Sequence, residues 1–197
     1  MESHLVVLLP LAAVWLAAGW LADRLPAAEQ ARELRRRTGH VLALTATGLV
    51  VTAAVLAVGL AGTGPTTIDR ATAGLGLAVG PALVVSACTV RRVRRLRAGA
   101  GAFAAAPLTP APHGLRAAAA HPLVGLPPQV TGLAMLPAVI GSLAPDLPTG
   151  AAGPAITVGA LGVAVIGVRH ALRHSRLVER AAPPAPTSAR TAGALHV

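Results

Sequence analysis

Residues 41–62, VLALTATGLVVTAAVLAVGLAG, run for 22 positions without a charged side chain or a histidine. At about 1.5 Å of rise per residue, a helix of that length crosses the roughly 30 Å hydrocarbon core of a bilayer. A helix on the surface of a soluble domain needs a charged or strongly polar face, and this stretch has none. Working outward, four further stretches share the pattern: 5–22 on the N-terminal side, and 71–90, 123–144 and 151–168 on the C-terminal side. None of the five contains Asp, Glu, Lys, Arg or His. The sequence therefore predicts an all-α, polytopic transmembrane helix bundle with five spans. A single membrane domain over 1–180 would be followed by a disordered tail, 181–197, rich in Pro, Ala and Thr.

Composition agrees. Hydrophobic residues make up 54% and charged residues 12%, about half the charged share of an average globular chain. All cations are Arg, with no Lys, and Ala, Gly and Pro are abundant; we read this as the codon bias of a GC-rich bacterial genome. Cys88 is the single cysteine, which excludes an internal disulfide and a Cys-rich metal site. The net charge of +10 raises nucleic acid as a partner, but a nucleic-acid module brings stacking aromatics or a readable motif. With one Phe, two Trp and no Tyr, neither is present. Anionic lipid headgroups are the nearer partner for arginines that flank apolar spans.

Orientation follows from the arginines. Segment 23–40 carries five, 91–122 six and the tail 169–197 five, whereas Arg70 is alone in the N-terminus and the loops 63–70 and 145–150. The split of 16 to 1 places the N-terminus outside and the C-terminus in the cytoplasm of a bacterial inner membrane. Glu2 and His4 precede the first apolar run and its first Arg follows it, so that run reads as a retained span rather than a cleaved leader. Pro127, Pro128 and Pro137 interrupt the fourth stretch, which is expected to cross while kinked or partly unwound. Segment 25–37 is expected to form a short interfacial helix, with Pro26 in its first turn and a Glu33–Arg37 pair.

Candidate functional residues are few. Arg91, Arg92, Arg94, Arg95 and Arg97 follow the third span as a stop-transfer anchor and headgroup contact. Arg169, Arg173, Arg176 and Arg180 recur at helical spacing after the fifth, as a basic stripe towards headgroups on a helix that continues out of the membrane. The topology gathers His40, His121, His170 and His174 at the cytoplasmic level. The i,i+4 pair His170–His174 has metal-binding spacing, but no nearby carboxylate or Cys completes a site, and no metal or cofactor is assigned. Gln129, beside two prolines that remove backbone donors, is the candidate intramembrane polar site. It is expected to donate to the carbonyls near Leu123 and Val124 or to a neighbouring helix, with Thr and Ser residues of the spans bonding between helices. Gly76–Gly80, Ala155–Gly159, and Ala13–Ala17 and Ala18–Ala22 in the first span are small-residue pairs suited to close helix packing. Trp20 suits the interface, and Trp15 lies deeper, against lipid or a neighbouring helix.

The chain lacks H-E-x-x-H, G-x-S-x-G and P-loop patterns, and no ionisable group lies inside the spans to handle protons or couple transport. The expected role is a non-enzymatic accessory or scaffold subunit, with another membrane subunit or a second copy of the chain as partner. The alternatives are a small transporter or permease component for a neutral or apolar solute, and a membrane enzyme or redox subunit working at the cytoplasmic face.

Overall fold

The computed structural model describes residues 5–62, 72, 75–76, 79–106, 108–143 and 152–182. Among these the chain is all-helical, with no strand. Five long helices form: α1 Leu5–Arg24, α2 Ala31–Ala61, α3 Val79–Ala102, α5 Pro122–Leu143 and α6 Ala152–Ala181, with a short α4, His113–Ala119, between α3 and α5. Three helical stretches, Leu5–Ala27, Ala31–Ala61 and His113–Ile140, are long and apolar enough to cross a membrane. The expected third and fifth spans begin at residues outside the described set. The loops 63–70 and 145–150 and the tail from 183 lie outside it as well.

Helix α1 buries Leu8, Leu11, Trp15, Ala18 and Ala22, the three-and-four spacing of a single helical face. That face packs on α5 and α2; α2 packs in turn on α3, and α3 on α5, closing a ring of four helices. Helix α6 joins the ring from outside, against α5 and α4. Two apolar clusters fill the ring. One contains Leu8, Leu11, Trp15, Val79 and Met135. The other lies at the arginine-bearing end, around Leu25, Leu34, Val41, Val93 and Val124.

Several expectations need correction. Segment 25–37 is not a separate helix: Pro26 sits in a 3-10 turn, Leu25–Ala27, and α2 starts at Ala31 and runs unbroken for 31 residues. The Glu33–Arg37 ion pair does form, within α2. The connector after α3 folds back on this turn. Ala31 N–H donates to Thr109 O at 3.0 Å and Ala111 N–H to Glu29 O at 2.7 Å.

The proline-bearing fourth stretch is not unwound: α5 is helical throughout despite Pro127, Pro128 and Pro137. Pro127 has no N–H to offer the Leu123 carbonyl one turn earlier, and the Thr89 hydroxyl of α3 donates to that carbonyl instead, at 2.7 Å. Of the small residues, Ala18 and Ala22 are buried on the packed face of α1, whereas Gly76, Gly80 and Gly159 make no close helix approach. Gly76 has φ 55°, so it lies outside any right-handed helix, and Gly80 and Gly159 face open space.

Candidate functional site

The start of α5 is built by His121. Its Nδ1 accepts the Leu123 N–H at 3.1 Å, a side-chain cap, and Pro122 takes the first helical position, where a missing N–H costs nothing. This start delivers Gly125 and Gln129 to the face where α1 and α6 converge. At Gly19 the backbones of α1 and α5 approach so closely that a Cβ would lie 2.5 Å from Gln129 Cγ. A Cβ at Gly125 would lie 2.5 Å from the His170 ring of α6. Two glycines on two helices therefore admit two large polar side chains.

Gln129 Nε2–H donates to the Gly19 carbonyl at 3.2 Å, which leaves Oε1 facing His170 Nε2 at 3.2 Å. An amide oxygen only accepts, so His170 carries its proton on Nε2. The sequence offered Gln129 either its own helix or a neighbour; it bonds two neighbours. His170 is 5% exposed, and burial, reinforced by Arg169 and Arg173 and opposed by Asp23, holds its pKa below the usual histidine value.

Asp23, at the end of α1, locks α6 in place. Its carboxylate receives Arg169 Nη2 at 2.9 Å and Arg173 Nη1 at 3.2 Å, and Arg173 also donates to the Asp23 carbonyl at 2.7 Å. One turn on, His174 Nδ1–H donates to Ala117 O at 3.0 Å, and its ring meets His121 edge-on, centroids 5.0 Å apart.

The structure thus brings together His170, Gln129, Arg169 and Arg173, with His174 and His121 beside them. His40 is exposed on α2. Among the described residues no three His, Cys, Asp or Glu side chains converge as metal ligands. Arg176 and Arg180 are exposed on α6, while Arg91, Arg92, Arg94, Arg95 and Arg97 are exposed on α3 around buried Val93 and Leu96.

A groove of about 300 Å³ opens beside the junction, lined by Leu16, Trp20, Asp23, Gln129, Ile166 and His170 among others. The Arg24 guanidinium covers the Trp20 ring at 3.8 Å from its centroid, a cation–π contact at the edge of the apolar region. Deeper in the bundle, several polar side chains bond across helices. Trp15 is fully buried and donates to Thr52 Oγ1 at 3.1 Å; Ser86 and Thr131 hydroxyls pair at 3.4 Å. The Thr45 hydroxyl is buried without a partner among the described residues.

Sequence reasoning undervalued Asp23, whose signal was its isolation: it follows the first span directly, where its neighbours in charge are arginines. Gly19 and Gly125 gave no signal beyond their identity. Compared with family models, curated proteins and solved structures, the chain matches none.

Proposed function

We propose that the chain is a five-span protein of a bacterial inner membrane, N-terminus out and C-terminus cytoplasmic, that serves as a non-catalytic accessory or scaffold subunit. One observation carries this reading: polar groups on facing helices are bonded to one another. Trp15 is bonded to Thr52, Ser86 to Thr131, Thr89 to the Leu123 carbonyl, and Gln129 to Gly19 and His170. Such pairing fixes helices against each other and leaves a filled interior between two apolar clusters. Extraction of native membranes in mild detergent tests it. The chain should migrate in an assembly larger than itself, and its deletion should lower the abundance of a stoichiometric partner. A chain that migrates alone and whose loss changes no other protein would refute the reading.

A second reading, a component for passage of a neutral solute, is favoured by the 300 Å³ groove that reaches Gln129. Solute flux into vesicles containing the purified chain, abolished by Gln129→Leu without loss of folding, would select it over the first.

A further inference from the structure

A larger groove, about 950 Å³, separates α6 from the turn at Pro26 and from α4. Its two ends differ in chemistry. Val165, Val168 and Leu172 form an apolar wall and are 67%, 59% and 53% exposed. From Arg169 onward the lining turns cationic, with Leu172 and Leu177 interspersed: Arg116 from α4 and four arginines of α6 face a single carboxylate, Glu29.

The arginines are not equivalent. Arg169 and Arg173 share the one carboxylate of Asp23, so the pair retains a net positive charge. Arg116 Nε is held by the Pro26 carbonyl at 3.1 Å, which fixes the plane of its guanidinium and leaves the terminal nitrogens for a ligand. Arg176 completes the cluster from the opposite wall. A guanidinium held in place matches a phosphate through parallel N–H donors, and a fixed donor loses less entropy on binding.

We propose that this groove binds one anionic phospholipid, its phosphate between Arg116 and Arg176 and its upper acyl chain along Val165 and Val168. The order of the lining supports a lipid over free phosphate. Val165 and Val168 lie in the expected fifth span, 151–168, and the arginines follow it, as a headgroup follows its acyl chains. A free phosphate would use the cationic end and leave the apolar wall uncovered. The site rests on the reading that the arginine-bearing end faces the membrane surface, which topology reporters test separately.

The experiment uses the purified full chain in detergent micelles with equal amounts of dioleoyl phosphatidylglycerol and dioleoyl phosphatidylcholine, bound lipid being counted by native mass spectrometry. The expected result is one phosphatidylglycerol retained per chain. Arg116→Gln with Arg176→Gln should weaken retention by about thirtyfold, two cations at the usual weight of a headgroup-level arginine. Arg32→Gln with Arg36→Gln removes the same charge from the exposed face of α2, away from the groove, and should change retention by less than about twofold, their attraction being diffuse. Where the double groove variant does not fold, Arg176→Gln alone should cost about fivefold. Equal losses from the two pairs would overturn the site in favour of diffuse attraction. Displacement of the lipid by millimolar inorganic phosphate would overturn the lipid assignment in favour of a free anion.

Discussion

Gly19 of α1 and Gln129 of α5 occupy one contact: the glutamine amide donates to the glycine carbonyl at 3.2 Å, and its Cγ fills the space a Cβ at position 19 would take. The glutamine backbone is also near, with Cα and N both 3.2 Å from that Cβ position, so the helix as well as the side chain would have to move. Gly19→Ala is therefore expected to destabilise the bundle by about 1–3 kcal/mol through overpacking. Gln129→Leu is expected to cost only about 1 kcal/mol, because single hydrogen bonds between membrane helices are weak. Unfolding of the purified protein by SDS titration compares the two. Equal stability of Gly19→Ala and the parent would refute the close approach.

Asp23 holds α6 through Arg169 and Arg173, yet Arg169 remains 67% exposed, so water screens that half of the pairing. Asp23→Asn keeps the shape and removes the charge, and its expected global cost is at most about 1 kcal/mol. Its local effect is the sharper one. Helix α6 packs chiefly on α5 and α4, with Asp23 its bonded link to α1, and loss of the clamp should speed amide exchange across 160–181 while leaving α1 and α2 unchanged. Uniform exchange in the variant and the parent would show that Asp23 does not hold α6.

His170 makes the junction sensitive to acid. Its folded pKa is lowered from 6.5, chiefly by burial, while Asp23 pulls the other way and Arg169 and Arg173 add to the lowering. Above the unfolded value the ring is neutral in both states and stability is full. As pH falls through that value the unfolded chain takes up a proton that the folded chain resists, so stability declines until the folded pKa is passed. The parent should lose stability between pH 7.5 and pH 5 more steeply than His170→Gln, by unfolding at each pH. Parallel pH profiles would contradict a neutral, buried His170.

Topology is tested by reporters. A fusion after Val197 should report the cytoplasm and one within the 145–150 loop the outside, as the arginine distribution requires. The same side for both would remove the fifth crossing, and a reversal of both, loop inside and tail outside, would remove the fourth, even though α5 is helical and apolar enough to span.

What the sequence made legible was set by what each feature depends on. Absence of charge marks a span locally, so α1, α2 and α5 were readable, and the arginine spacing carried α6 on to Ala181. The junction depends on distant partners. Asp23 meets its arginines across 146 and 150 positions, and Gln129 meets Gly19 across 110; no local pattern encodes such a meeting. The return of 109–111 onto 29–31 uses backbone groups alone, which leave no trace in residue identity. The Gly76–Gly80 pair misled for the converse reason. In a chain with this much Ala and Gly the motif is frequent, whereas the approaches that matter, at Gly19 and Gly125, are set by the partner side chain rather than by the spacing.

Thr89 and Pro127 give the most direct test of how α5 stays helical. Thr89 is fully buried and its hydroxyl donates to Leu123 O at 2.7 Å, with a longer contact to Val85 O at 3.3 Å in its own helix. The Leu123 carbonyl needs that donor because position 127, its ordinary helical partner, is proline. Thr89→Val keeps the branched shape and removes the donor, leaving a carbonyl unpaired away from water. The expected loss is about 1–2 kcal/mol, the usual cost of such an orphan in proteins. Pro127→Ala supplies an N–H to the same carbonyl from within α5. In that background Thr89→Val should therefore cost about 0.5 kcal/mol or less, and the difference between the two measurements is the coupling energy. SDS-titration stabilities of the four proteins close the cycle. If Thr89→Val costs the same with and without Pro127, the threonine is not replacing the proline's missing donor, and α5 must be kept helical by packing alone.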